Sequence, residues 1–529
     1  MNHSWLDKLN SKLSFIIGAL VCLWFFGINI VGTSLEYFPG DLGDARFNIY
    51  ILEHAHRFFC GQDISFWNAS FMYPEKNVIT YSDNLLGTAF LYSLFRLGGL
   101  DSLTSFQYWF LVMVVLNYTS CYYLLRFIFK NYFAAVLGAI VYASSICLQS
   151  QIGHAQTIPR FTLPLAIWMG LLFFRELKPK FFFLMLLFMV YQIYCGIYLG
   201  FMSAVPLCLT LIISLILQRK VLFIQLKNKK WLLEMAVSVI VNLLVLLPLI
   251  LPYWERSKDT GLNDYENVLV TVPTFKCYFY CNPGSLFWGF LEHVADEYFW
   301  FWNYKIFCGG VATLSILSFF LYGIIRILKR DLVNVKNSYV PVLLFLSFFT
   351  FLFFLKVNDS SLYYFIYKLP GFGSLRALQR VINVELISYA IAVAFISSVL
   401  LKEVNTIKSL MLFVMLTTLI IADNWVNPVS IHRTKKEIAQ VRVLDLINKM
   451  KNIPKGYIVS YEPDSLKSNP IDYQIDAMLA CQNLNLKCIN GYTATSPKNY
   501  FYWDKLNKES RDIWVNYREL PKDSIYVVN

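Results

Sequence analysis

The chain has 529 residues, of which 57% are hydrophobic and only 15% charged, with a mean hydropathy of +0.50. A soluble globular protein of that composition would leave large apolar patches in water, so lipid is its solvent. The net charge of +12 does not point to nucleic acid, because excess Lys and Arg in such a chain marks short cytoplasmic loops.

Lys8 and Lys12 precede an apolar run over residues 15–31 with no small-residue cleavage site behind it. That pattern predicts a retained first span with a cytoplasmic N-terminus. Apolar runs of about 20 residues, the length of one crossing, recur as far as residue 425. Basic residues cluster in alternate loops between them. The clusters are Arg126 and Lys130; Arg175, Lys178 and Lys180; Arg219, Lys220, Lys227, Lys229 and Lys230; Arg326, Lys329, Arg330 and Lys336; and Lys402 with Lys408. The positive-inside rule puts these loops in the cytoplasm and predicts about eleven spans. They fall near 15–33, 105–128, 132–149, 160–174, 181–196, 199–217, 231–252, 306–327, 339–355, 381–401 and 409–425. The apolar segment 85–97 is too short to cross and would invert every later loop if counted, so it is predicted to lie on the outer surface as an interfacial helix.

An odd number of spans sends the C-terminus outward. The outward segments are then 34–104, 253–305, 356–380 and a polar tail over 426–529. The tail alternates strand-like pieces (457–460, 525–528) with helical ones (437–450, 472–484), predicting a small α/β domain beside a membrane module over 1–425. Cys121, Cys147, Cys195 and Cys208 sit in apolar runs and read as core packing. Cys277 with Cys281, and Cys481 with Cys488, face an oxidising side where bridges are permitted; spacing leaves the pairing open and favours 481 with 488.

Polar residues gather in the outward segments. Residues 40–59, GDLGDARFNIYILEHAHRFF, place Asp41, Asp44 and Arg46 just beyond the first span, with Glu53, His54, His56 and Arg57 on a helix behind them, and Asp83 precedes the interfacial helix. An acidic pair at a membrane surface suits a general base or a bound cation, and an arginine fork suits phosphate; a solvated loop with helix caps is the bland alternative. His154 and Arg160 flank the outer end of the fourth span. In 369–380, LPGFGSLRALQR, a Pro-Gly turn is followed by Arg376 and Arg380 four residues apart, predicted to share one helix face at a span mouth and hold a lipid phosphate. Glu292, His293, Asp296 and Glu297 have a metal-site composition without recognised zinc spacing.

The order of these features resembles the GT-C superfamily of membrane glycosyltransferases. It comprises a short N-terminus, one span, an acidic D-A-R loop, an amphipathic helix, a second acidic residue before an interfacial helix, and then many spans. Within that superfamily it is similar to lipid A aminoarabinose transferases, protein mannosyltransferases and O-antigen-modifying glucosyltransferases. The resemblance implies that Asp44 is the catalytic base, with Asp41 beside it and Asp83 as the second acidic residue. The segments 369–380 and 476–492, DAMLACQNLNLKCINGY, also look like stretches of bacterial GT-C-like proteins.

The implied reaction is inverting transfer of a sugar, a hexose such as glucose, from a polyprenyl-phosphate carrier to a periplasmic glycan such as O-antigen, a glycolipid or a protein. Arg46, His54, His56, Arg57, His154, Arg160, Arg376 and Arg380 would bind substrate. No cofactor is required and a divalent cation is optional. The implied setting is the bacterial inner membrane, with membrane lipids as partners and no nucleic acid. The competing reading is a transporter of lipid-linked saccharides or a non-catalytic assembly factor; mid-span positions nearly free of charge favour surface chemistry over transport.

Overall fold

Apolar runs of spanning length must close every backbone hydrogen bond internally, and the helix is the form that does so within one segment. A computed structural model describes residues 3–261, 263–298, 302–329, 339–401, 406–502 and 505–529, so Arg330, Lys336 and Lys402 of the basic clusters lie outside the described residues. Among the described residues nine helices are long and apolar enough to cross a membrane: Asn10–Val31, Ser102–Phe129, Tyr132–Ser150, Ala155–Glu176, Ile197–Leu217, Lys229–Thr260, Gly310–Leu328, Leu378–Leu400 and Ile407–Asn424. The chain is a multi-pass membrane protein. Two shorter apolar helices, Pro179–Cys195 and Val340–Phe353, stand where the other two expected spans fall.

Local chemistry sets the helix ends. Asp101 accepts from the Thr104 N–H at 3.0 Å and Asn131 from that of Ala134 at 3.0 Å, each satisfying a donor the first turn leaves free. Between those two starts, Lys130 turns the chain in a left-handed conformation. Pro179 opens its helix at the first position, where a missing N–H costs nothing.

Two helices form the centre of the bundle: 94% of the Tyr132–Ser150 window and 83% of the Leu378–Leu400 window is buried, against 17% for Lys229–Thr260. The central pair meets at Gly138, where a Cβ would lie 2.5 Å from the Ala390 carbonyl oxygen, so only glycine permits the approach. Near Pro159 the backbone is irregular, and Asn117 mends it from the neighbouring helix. Its amide donates to the Ile158 carbonyl at 2.9 Å and its oxygen accepts from the Arg160 N–H at 2.9 Å. The polar residue inside an apolar run thereby supplies what the broken helix lacks.

One end of the bundle carries the long segments. The helix Asp44–Phe59 packs on the helix Leu86–Leu97, and Glu53 pins the two by accepting from the Tyr92 hydroxyl at 2.6 Å and pairing with Arg96 at 2.7 Å. Leu86–Leu97 exposes Phe90, Leu94 and Leu97 while burying Gly87, Ala89 and Tyr92. The residues 85–97 expected to form an interfacial helix do form a helix, with an apolar face left uncovered by protein.

The tail is stitched to the first loop. Strand Arg433–Lys435 pairs antiparallel with Tyr37–Pro39, with Thr434 opposite Phe38. Beyond it, Ile458–Tyr461 lies at the centre of a parallel three-stranded sheet between Lys487–Cys488 and Ile525–Val528. Helices Lys436–Met450, Pro470–Leu484 and Lys508–Tyr517 complete this α/β unit. The strand Lys487–Cys488 and the helix Lys508–Tyr517 are not among the elements read from the sequence. Cys277, Cys281, Cys481 and Cys488 are all buried free thiols.

Candidate functional site

Asp44 begins its helix because Asp41 prepares the start: the Asp41 carboxylate accepts from the Gly43 N–H at 3.1 Å and the Ala45 N–H at 3.3 Å. Asp41 thus acts as a cap, leaving Asp44 as the carboxylate that meets the rest of the site. Two glycines set where Asp44 points. Gly40, at φ +90°, lies so close to Gly153 that a Cβ on it would fall 2.7 Å from the Gly153 Cα. The residue after Gly153 is His154, and its Nδ1 comes to 2.9 Å from Asp44 Oδ2. This is a contact of ion-pair distance whose angle departs from a straight hydrogen bond. The other Asp44 oxygen accepts from the Tyr492 hydroxyl at 2.6 Å.

The remaining neighbours orient this pair. The Asn303 amide lies 3.0 Å from His154 Nε2; as donor it leaves the ring proton on Nδ1, facing Asp44. His432 packs over Gly153, where a Cβ would meet its ring at 3.1 Å, and burial holds its imidazole below the ordinary value against the pull of Asp41. The Asp44 side chain remains 32% exposed, open to an incoming group. Desolvation alone would raise its pKa, but His154, Tyr492 and Arg380 together hold the carboxyl well below the usual range. Asp83 differs: burial pushes it up to about 6, resisted by the Ile197 N–H that it accepts at 2.6 Å and by the charge of Arg380.

Arg380 therefore acts on both carboxylates. Its guanidinium lies 5.0 Å from the centre of the Tyr198 ring, and its buried Nε finds no hydrogen-bond partner among the described residues. Arg376 is exposed and donates its backbone N–H to the Tyr198 hydroxyl at 3.2 Å. Among the described residues neither guanidinium makes an ion pair. The shared helix face expected for these arginines is not observed: Leu375 is extended, Ala377 has φ −141°, and the regular helix starts only at Ile382. Tyr198 touches both instead, its ring facing the Arg380 guanidinium and its hydroxyl taking the Arg376 backbone N–H, while the left-handed turn at Gly371 packs against the Phe201 ring about one turn further along helix Ile197–Leu217.

Several expected substrate-binding residues are engaged elsewhere. Arg46 is 1% exposed, pairs with Asp476 and donates to the Asp472 carbonyl at 3.0 Å, tying the loop helix to Pro470–Leu484. His54 bridges Asp63 at 3.1 Å and the Phe66 carbonyl at 2.9 Å. Arg57 binds the same Asp63 at 3.0 Å and the Asn485 side chain. His56 is buried against Cys60, and desolvation lowers its pKa. Arg160 is buried and directed at the carbonyls of Tyr142, Thr157 and Ile158. His293 is an exposed partner of Glu292 and Asp296, and among the described residues no three His, Cys, Asp or Glu side chains converge as a metal site.

The sequence reading passed over Asn303, His432 and Tyr198. Tyr492 closes the segment 476–492 that the sequence had marked, although nothing in it assigned the tyrosine a part.

No family model matches the chain, and no curated protein sequence matches it. Its fold is similar to that of the archaeal oligosaccharyltransferase AglB from Archaeoglobus fulgidus, solved in complex with an inhibitory peptide and a dolichol-phosphate. The identity is 13% and the TM-score 0.54, with 97% of this chain and 69% of that chain covered. The apo form of the Archaeoglobus fulgidus oligosaccharyltransferase gives 14% identity and a TM-score of 0.52 over the same shares. At such identity the likeness is one of fold, and it agrees with the GT-C arrangement that the order of features along the sequence resembles.

Proposed function

We propose that this chain is a membrane glycosyltransferase that takes a saccharide from a polyprenyl-phosphate carrier and transfers it to an acceptor hydroxyl with inversion. The observation that carries this reading is the opposition of charges at one end of the bundle. An ionised, partly open Asp44 faces the region governed by Arg380, and among the described residues neither Arg376 nor Arg380 has a carboxylate at ion-pair distance. A guanidinium pair without an anion suits a phosphate, and a phosphate at a helix-bundle mouth is where a lipid carrier would present it.

In the proposed step the bond between the anomeric carbon and the phosphate oxygen breaks as the acceptor oxygen bonds to that carbon. Arg376 and Arg380 balance the charge on the departing polyprenyl phosphate. The hydroxyl proton passes to Asp44, which His154 and Tyr492 hold in position. An Asp so acidified is a weak base. It fits a displacement in which phosphate departure runs ahead of attack, so that the hydroxyl is acidified before it gives up its proton.

The likeness in fold to a protein solved with dolichol-phosphate supports a lipid-linked donor. A hexose as the sugar and an outer glycan such as O-antigen as acceptor form the finer part of the proposal. It also includes eleven spans, an N-terminus in the cytoplasm of a bacterial cell, and residues 426–529 outside the inner membrane as a small α/β domain. A divalent cation is left optional in it.

Asp44→Asn in membranes is expected to reduce transfer by at least about a hundredfold while the protein remains folded and inserted; full activity in that variant would sink the assignment. Reconstituted protein that moved a labelled lipid-linked sugar across vesicles without transferring it would decide for the transport reading instead.

A further inference from the structure

His154 and Asn303 come from two segments far apart in sequence that are fastened along their length. The Ser145 hydroxyl donates to the Cys308 carbonyl at 3.1 Å, Ser150 to the Lys305 carbonyl at 2.9 Å, and the Gln151 amide to the Asn303 carbonyl at 3.1 Å. Trp302 Nε1 reaches the Gln149 carbonyl at 3.5 Å. Every one of these bonds is between neutral groups. At the base of this clasp the thiols of Cys147 and Cys308, 161 residues apart, lie 3.6 Å from each other and are buried to 1% and 0% exposure. Their segments are anchored from below as well: Asn424 accepts from the Ile146 N–H at 2.8 Å, and the Asp423 carboxylate receives the Gly310 and Val311 N–H groups at 3.0 Å each.

We infer that Cys147 and Cys308 form a disulfide that closes this clasp and so fixes the His154 and Asn303 pair beside Asp44. The inference rests on the outward, oxidising placement of this end of the bundle. A disulfide needs the sulfurs at about 2.05 Å, so the bond draws them together by roughly 1.5 Å from the observed contact. In the reaction the two thiols lose two protons and two electrons and one S–S bond forms. The electrons pass to the disulfide of a thiol–disulfide exchange protein, which leaves as a dithiol. Because both sulfurs are covered in the closed clasp, exchange takes place while the segments are still coming together during folding. The residues are therefore more than the core packing their apolar surroundings indicate: once bonded, they tether the third and eighth expected spans at the level of the site.

The test begins with membranes from cells quenched with a permeant maleimide, digested without reduction and mapped by mass spectrometry. A linked peptide joining Cys147 to Cys308 is expected, and recovery of both residues as alkylated thiols would overturn the bond. Cys60, exposed in the first loop, reports the compartment separately, since an impermeant maleimide added outside must label it if that loop faces outward. Failure of Cys60 to label counts against the topology, while the peptide map still decides the bond. In purified full-length protein, reduction or the pair Cys147→Ser with Cys308→Ser should speed hydrogen exchange about tenfold in residues 146–157 and 302–308. Unchanged exchange in those segments would overturn the tethering role.

Discussion

At the scale of single residues, Asp44 is shaped by its donors. A hydroxyl that hydrogen-bonds to the ionised form and an imidazole at ion-pair distance from it stabilise it over the neutral acid, so removing either must raise its pKa. In Tyr492→Phe the ring would keep its edge-on contact with Phe47, 5.7 Å between centroids, while the hydroxyl is lost. A hydrogen bond to a charged group is worth about 1.5–3 kcal/mol, so the acid limb of kcat/KM is expected to move up by about one pH unit or more.

The wild-type profile should run level through about pH 6, the region in which Asp83 titrates. A fall as pH drops through that value would reassign the proton to Asp83. Asp44, Asp83, His154, Arg376 and Arg380 were legible in the sequence because charge at a membrane boundary is conspicuous. Tyr492, Asn303 and His432 were not, since their roles arise only when segments hundreds of residues apart meet.

At the scale of elements, composition identified the helices but not what their polar faces touch. A helix carrying residues 53–57 was readable from its pattern, yet it begins already at Asp44, and Arg46, expected to hold phosphate, turns from it into the protein toward Asp476. An arginine on an amphipathic helix gives no sign of whether a ligand or another helix will receive it. Breaking a buried ion pair typically costs about 3–5 kcal/mol, and here less, because Asp476 keeps its second partner Arg442 at 2.6 Å. Arg46→Leu is accordingly expected to lower the melting temperature by several degrees, with the KM for lipid-linked donor unchanged in the folded fraction. A large rise in that KM with stability intact would restore Arg46 to substrate binding. The arginines at 376 and 380 teach the converse: a four-residue interval suggested one helix face, but the regular helix starts only at Ile382, and Tyr198 meets the guanidinium of one and the backbone of the other.

At the scale of the whole molecule, the sequence supported a membrane bundle with a polar tail and left the tail's involvement open. The pairing of Arg433–Lys435 with Tyr37–Pro39 and the reach of Tyr492 to Asp44 make residues 426–529 part of the site. A chain ending at 425 should insert in the membrane, lose transfer activity altogether, and show faster proteolysis within residues 34–101, which would have lost its strand partner. Ordinary protease resistance of that loop would mean that it folds without the tail.

The uneven burial of the helices bears on how the protein will behave once extracted. Tyr132–Ser150 and Leu378–Leu400, which lead into His154 and out of Arg380, are enclosed by protein, whereas only 17% of the Lys229–Thr260 window is buried. A micelle replaces lipid contacts and leaves helix-to-helix contacts in place, so harsher detergents should strip the periphery while the central pair stays assembled. Solubilised samples would then keep His154 beside Asp44 after they have lost the capacity to seat a long polyprenyl tail, and water-soluble short-chain donor analogues would outlast natural ones as substrates in such preparations.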